Sequence, residues 1–485
     1  MGDFMKECSS RRKFLRTAAI GTASAALLRR LSWAQEPDIE SSAGKPNLVF
    51  IFADQWRAQA TGYAGNKDVK TPHLDRLAKE SINFSNAVSG CPVCSPYRAS
   101  MLTGQYWLTH GIFYNDKPLN PDATTIGKVY RRAGYETGYI GKWHVDGYDR
   151  TAFIPKERRQ GFDFWKVCEC THNYNNSLYY ADTDVRQYWD GYDAIAQTRE
   201  AQKYIRRQAN KSPFVLFMSW GPPHAPYQTA PKKYREMFDL AGIRLHPNVP
   251  KSLKQKAREE LAGYYAHIAA LDDCIGDVLD TLKECRIEEN TIFVFTSDHG
   301  DMLRSHGHTK KQKPWDESVR IPFLLRYPAA HGKSGRTIDM PINTPDIMPT
   351  LLGLSGVAIP KSVEGSDFSG VIKGTRPPEN DAALIMCPVP FHQWNYQRGG
   401  REYRGVRTRR YTYVRDIKGP WLMYDNRQDP YQLKNLCNDP KFAEVRQGLE
   451  KILSRKLKET NDKFLPGPEY MAKWNYQWDG NDAPP

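Results

Sequence analysis

The chain has 485 residues, 26% of them charged and 40% hydrophobic, and a formal net charge of +14. That length buries one large core, or one large and one small, and the composition excludes a disordered or fibrous chain. The basic balance suits an anionic partner, but no helix-turn-helix, zinc-finger or RNA-recognition pattern accompanies it, which argues against nucleic acid.

The N-terminus reads as an address. Ser10-Arg11-Arg12-Lys13-Phe14-Leu15 is a twin-arginine pattern, and Ala18 to Leu28 is a weakly apolar, Ala-rich run. That run is too short to span a membrane as a permanent helix, which takes about 20 residues. Ser32-Trp33-Ala34 offers a small-x-small cleavage site, so residues 1–34 are predicted to be a Tat signal peptide and the mature chain to start near Gln35. The signal carries seven Lys/Arg and two Asp/Glu, so its removal lowers the net charge from +14 to +9. The expectation is a periplasmic or secreted protein, handled by the Tat export machinery, with no transmembrane segment in the mature chain. Of nine cysteines, Cys8 leaves with the signal. Cys168-x-Cys170 is too close for an easy disulfide, and no C-x-x-C zinc pair is present. A Tat substrate folds in a reducing compartment, so disulfides are not expected to dominate.

After a linker over 35–46, Asn47-Leu-Val-Phe-Ile-Phe-Ala53 is a continuous apolar run ending at Asp54-Gln55. Such a run predicts a parallel strand buried on both faces. Thr71 to Ser81 predicts a capped helix with Leu74 and Leu77 on one face. The strand-then-polar pattern returns three times. Tyr135 to Lys142 ends at Lys142, with His144 two residues on; Phe214 to Trp220 ends in Gly221-Pro-Pro-His224; Thr291 to Thr296 ends in Ser297-Asp298-His299-Gly300. Arg258 to Glu284 carries apolar residues three and four apart and predicts a long helix. Together these predict an α/β domain over 47–375 with a mostly parallel central sheet flanked by helices, closed by a helix from Thr344. Residues 376–485 predict a smaller C-terminal domain with an antiparallel sheet, from Ala382–Met386, Arg404–Val414 and Trp421–Tyr424, then a terminal helix over Phe442–Leu457 and a tail wrapping the surface.

In open α/β sheets the ligand binds beyond the carboxyl ends of the strands. Here four such strands end in residues that bind metals, hold anions or move protons. Between the first and second lies Cys94-Ser95-Pro96-Tyr97-Arg98, running on to Thr103-Gly104. Pro is favoured in the first turn of a helix, so Cys94 is expected at a helix N-terminus with Arg98 one turn in. Free N–H groups, the helix dipole and the guanidinium would converge on Cys94, a place suited to a tetrahedral oxyanion.

The stretch CSPYRASMLTG resembles the signature of the type I, formylglycine-dependent sulfatases, and the resemblance runs in order over residues 45–440. It implies an alkaline-phosphatase-like fold whose smaller domain holds a four-stranded antiparallel sheet. It also implies oxidation of Cys94 to Cα-formylglycine by a formylglycine-generating enzyme. Asp54 and Gln55, with Asp298 and His299, match the family's two metal-binding pairs. Cys94, once modified, would be the remaining ligand. The implied metal is Ca²⁺, while the His299 nitrogen keeps Mg²⁺ or another divalent ion open. By the same resemblance, Asp298 is the base for a hydroxyl of the formylglycine hydrate, which attacks sulfur. Arg98, Lys142 and Lys311 hold oxygens, with Lys310 and Lys313 as rivals of Lys311. His224 protonates the leaving oxygen, and His144 takes the proton whose loss expels sulfate. Pocket walls are expected from Trp165–Tyr180 and Cys387–Tyr396, including His172, Asn175 and His392. The substrate expected is a sulfated carbohydrate or another sulfate ester. A phosphonate monoester or phosphodiester hydrolase of the same superfamily is the alternative, and a non-catalytic sulfated-glycan-binding protein a more distant one.

Overall fold

The computed structural model describes residues 44–376 and 380–484. The twin-arginine signal and residues 35–43 of the linker lie outside these residues. Residues Lys45–Pro485 form one compact unit. Among the described residues no helix is long and apolar enough to cross a membrane.

An eight-stranded sheet forms the centre. Its strands are β1 (Asn47–Asp54), β2 (Ile82–Phe84), β3 (Glu136–Lys142), β4 (Phe164–Cys168), β5 (Phe214–Pro223), β6 (Thr291–Ser297), β7 (Phe323–Arg326) and β8 (Arg336–Ile338). They lie in the order β8-β2-β7-β6-β1-β5-β3-β4. Every pairing is parallel except those of β7, which runs against β6 and β2. The expectation of a mostly parallel sheet is met.

The apolar run of β1 explains its central place. Val49, Ile51 and Ala53 face one core, with residues of helices α3 (Asp193–Gln208) and α4 (Lys254–Glu284). Leu48, Phe50 and Phe52 face the other, with Tyr97 and Leu102 of α2 (Cys94–Thr103) and Leu351 and Leu352 of α5 (Ile347–Leu354). Full burial of each such side chain contributes about 1.5–3 kcal/mol, and a polar residue on either face would forfeit it. At its carboxyl end β1 slips against β5: Ala53 pairs with Trp220 but Asp54 with Pro223. The slip opens the sheet edge where Asp54 and His224 leave it.

Helix α1 (Pro72–Lys79) buries Leu74 and Leu77 as its pattern requires, but Thr71 does not cap it. The carboxylate of Asp272 on α4 accepts from the His73 and Leu74 N–H groups at 2.9 Å each. A residue two hundred positions away supplies the cap, which no local sequence signal reveals.

The smaller sheet is antiparallel and four-stranded: β9 (Ala382–Cys387), β10 (Tyr403–Thr408), β11 (Tyr411–Asp416) and β12 (Gly419–Asp425), in that order. The run Arg404–Val414 is two strands joined by a tight turn. Helix α6 (Ala443–Glu459) follows, then α7 (Gly467–Lys473), which the sequence reading did not separate from the tail. The tail folds back: Tyr476 donates to the Gly111 carbonyl at 3.0 Å, and Trp478 lies edge-on to Tyr114. The eight cysteines among the described residues are free.

Candidate active site

Because β1, β3, β5 and β6 are parallel neighbours, Asp54, Lys142, His224 and the Asp298-His299 pair all emerge at one edge. Two glycines allow this close approach. Gly141 has φ of +103° and a Cβ there would sit 2.1 Å from the Ser219 carbonyl oxygen. A Cβ on Gly300 would sit 2.0 Å from that of Glu317. Gln55 and His144 are held at φ of +73° and +60°, a left-handed conformation that costs non-glycine residues energy and is tolerated where the surroundings over-determine it.

Cys94 opens α2, as expected, and its Sγ is the point of convergence. Lys311 Nζ lies 2.8 Å away, His299 Nε2 3.3 Å, the Asp54 carboxylate oxygens 3.5 and 3.6 Å, and Lys142 Nζ 3.8 Å. Burial and Asp54 push the thiol up; Lys142, Lys311 and His299 outweigh them and hold it well below the ordinary thiol range. Lys311 thus reaches the site. Lys310 instead lies over the Tyr227 ring, and Lys313 donates to the Thr309 carbonyl.

The helix terminus contributes less than the sequence suggests. Pro96 has no N–H, and that of Ser95 is taken by Asn115 Oδ1 at 3.2 Å. Side-chain cations do the gathering instead. Arg98, fully buried, braces the carboxylates: its Nη2 bonds Asp298 Oδ2 at 3.1 Å and lies 3.6 Å from Asp54 Oδ2. Its Nη1 donates to the Lys142 carbonyl (2.8 Å) and Ser219 Oγ (2.6 Å). Lys142 Nζ pairs with Asp54 Oδ2 at 2.6 Å. Three buried cations, Arg98, Lys142 and Lys311, thus surround Cys94 and the two carboxylates.

The two histidines are set differently. His224 Nδ1 donates to the Ala225 carbonyl (2.8 Å), so Nε2 is its working nitrogen. Burial holds His224 well below its usual range; Asp54 opposes this, and Lys311 and His172 add to it. His144 Nε2 donates to Asp116 Oδ1 (3.0 Å), which Arg150 clamps with two bonds, and His144 Nδ1 is buried with no partner. Burial pushes His144 down, but Cys170 and Asp116 raise it well above the usual imidazole range. His224 is therefore the stronger acid once protonated, and His144 the stronger proton acceptor.

Of the expected pocket residues, His172 stacks on His224 with centroids 4.4 Å apart. Asn175 instead donates to the Thr229 carbonyl, and His392 pairs with Asp479 of the tail at 3.1 Å. The sequence reading missed Asp116, Cys170, Ser219 and Asp301, because each acts on another side chain from a loop or strand with no motif of its own.

The donor set could hold a divalent cation. Asp54, Cys94, Asp298 and His299 each offer an atom, all within 4.8 Å of one another. His299 Nδ1 donates to the Gly300 carbonyl at 2.9 Å, which turns the Nε2 lone pair toward the carboxylates. Gln55 Oε1 is buried without a partner. Burial and the neighbouring Asp54 push the Asp298 carboxyl up, a repulsion that a cation between them relieves.

A mostly parallel eight-stranded sheet that gathers buried carboxylates and cations at one edge, beside a separate four-stranded antiparallel sheet, matches the alkaline-phosphatase-like fold. The Sulfatase family model matches residues 46–357, and that for the C-terminal region of N-sulphoglucosamine sulphohydrolase matches residues 304–459. An ulvan-active sulfatase of Formosa agariphila is 46% identical over 444 residues, covering 90% of this chain and 86% of that protein. An endo-4-O-sulfatase of Bacteroides thetaiotaomicron is 31% identical over 494 residues, covering 87% and 94%. The crystal structure of the Bacteroides fragilis protein YidJ superposes with a TM-score of 0.79 at 31% identity, covering 88% of this chain and 98% of that one. The chain belongs to the sulfatase family and is a sulfuric ester hydrolase.

Proposed function

We propose that this enzyme removes sulfate from a sulfated carbohydrate outside the cytoplasm, using a formylglycine made from Cys94 and a divalent cation, with Ca²⁺ the first choice. The observation that carries this is the convergence of Lys311, His299, Asp54 and Lys142 on Cys94 Sγ. That sulfur stands where the hydrate oxygens of the modified side chain would lie. The substrate class rests on relatives named for ulvan and for 4-O-sulfate and on the cationic site. Export rests on the twin-arginine pattern, and the division near residue 375 on the separate small sheet.

Asp54, Gln55, Asp298 and His299 would hold the cation, which lowers the pKa of a bound hydroxyl and neutralises charge on sulfate. Asp298 takes the proton of the attacking hydroxyl on residue 94. Lys142 and Lys311 hold sulfate oxygens, and Arg98 holds Asp298 and the Lys142 backbone in register. His224 Nε2 gives a proton to the leaving sugar oxygen, while His172 backs its ring. His144, oriented by Asp116 through Nε2, takes a proton at Nδ1 from the second hydroxyl of residue 94. That restores the aldehyde and releases sulfate. Each histidine changes protonation before it acts: an arriving anion raises His224, and His144 yields its proton first.

Cys94→Ser tests this. A serine sulfate ester has no second hydroxyl with which to eliminate, so the variant should become sulfated once and stop. Repeated turnover at the wild-type rate would refute the mechanism. Assays with 4-nitrophenyl sulfate, a glycan sulfate and a phosphonate monoester separate this reading from a phosphonate hydrolase.

A further inference from the structure

We propose that Asp301 is the positioning residue that makes Gln55 a metal ligand, by fixing which end of its amide faces the site. This rests on the metal reading above and goes beyond it by assigning the group that sets ligand orientation.

Asp301 is fully buried, and its carboxylate has four donors. Oδ2 accepts from Gln55 Nε2 at 2.6 Å and from the Tyr227 hydroxyl. Oδ1 accepts from the backbone N–H of Leu303 at 3.0 Å and of Lys310 at 2.9 Å. A carboxylate has about four acceptor sites, so this one is saturated. All four of these bonds are donated to Asp301, so the Gln55 amide presents its NH₂ to it. Its Oε1 then points elsewhere, and it is buried with no partner. The rest of Gln55 is pinned as well: its N–H donates to Asp298 Oδ1 at 3.0 Å, and its carbonyl accepts from Tyr264 at 2.7 Å. Only the amide rotation is left, and Asp301 decides it. A flipped amide would offer a cation two N–H groups instead of an oxygen.

The same carboxylate joins three segments. Gln55 follows β1, Tyr227 lies three residues after His224, and Lys310 precedes Lys311. Met302 also donates to the Lys310 carbonyl at 2.9 Å, closing the loop from 302 to 310 around Asp301. Asp301 therefore registers the metal ligand, the His224 turn and the Lys311 reach against one another.

A reciprocal pair of substitutions tests this. Asp301→Asn offers an NH₂ that Gln55 can meet only with its oxygen, so the amide flips away from the cation. Gln55→Glu alone sets two carboxylates against each other. Together, Glu at 55 accepts from Asn at 301 and still gives an oxygen to the metal. Calcium binding would be measured by titration calorimetry on chelator-stripped, folded enzyme, with melting temperature followed in parallel. Asp301→Asn is expected to bind calcium 10–100-fold more weakly, the usual cost of losing an outer-shell partner, and the double variant to recover to within a few-fold of wild type. An Asp301→Asn enzyme with wild-type affinity, or a double variant whose losses simply add, would overturn the proposal. If Asp301→Asn does not fold alone, recovery of fold and calcium binding on adding Gln55→Glu supports the same coupling, and no recovery overturns it. Asp54→Ala is the control: if it too binds calcium like wild type, the metal reading has failed rather than the role of Asp301.

Discussion

Replacing His224 by Ala should separate substrates by their leaving groups. His224 Nδ1 is committed to the Ala225 carbonyl, so a single nitrogen, Nε2, is free to serve the reaction. Burial keeps the imidazole weakly basic, so its protonated form is a strong acid, suited to an alkoxide that needs a proton to leave. General-acid help is worth ~10²–10⁴-fold where the leaving group needs it, or about 3–5 kcal/mol of barrier. A nitrophenolate leaves without that help. The variant should therefore lose two to four decades of kcat/KM on a glycan sulfate and much less on 4-nitrophenyl sulfate. His144→Ala should differ in kind: elimination slows for both substrates alike, and a covalent sulfate ester builds up on residue 94, visible as a mass increase on the intact protein. Equal losses on both substrates for His224→Ala, with no distinction from His144→Ala, would refute the assignment of the two rings.

Three further outcomes follow from the geometry. Asp54→Ala and Asp298→Ala should each lose the bound divalent ion, because removing one of two buried carboxylates removes half the anionic charge of the ligand set; unchanged metal content with full activity would count against the site. Lys311→Met should depress activity strongly while Lys310→Met has a small effect, since only the first amine reaches Cys94; the reverse order in a sulfate-release assay would mean the wrong lysine has been chosen. Glu317 is buried beneath the Asp298 loop. Burial pushes its carboxyl up, but His246 and Asn248 more than compensate and bring it down to about 2. A depressed carboxylate stabilises the fold above its unfolded pKa, near 4.5, and that contribution fades as pH falls toward 2. Glu317→Gln should therefore be less stable than wild type at pH 7 in urea unfolding, and the gap should narrow below pH 4. A gap independent of pH would show that the charge is not what matters.

Much of the fold was legible because β1, β5 and β6 are continuous apolar runs, with β3 repeating their strand-then-polar ending, and such runs have few homes outside a sheet covered on both faces. Their polar ends placed Asp54, Lys142, His224 and Asp298 at one edge before any coordinates. What stayed hidden was tertiary. The α1 cap comes from Asp272, and Lys311 is separated from Lys310 only by the loop that Asp301 closes. The helix terminus at Cys94 looked like an amide-lined anion site, but Asn115 and Pro96 leave it poor in free N–H groups. His392 and Asn175 sit in aromatic, polar stretches that suggest a pocket wall, yet their bonds go to Asp479 and Thr229. Composition marks such stretches but does not aim their side chains.

The central claim is that Cys94 becomes the aldehyde nucleophile. Mass spectrometry of the peptide spanning Cys94, from enzyme purified out of its own host and assayed for sulfate release in the same preparation, tests it most directly. The expected peptide is lighter than the encoded one by the difference between a CH₂SH and a CHO side chain, in proportion to activity. A fully active enzyme carrying only unmodified Cys94 would contradict it.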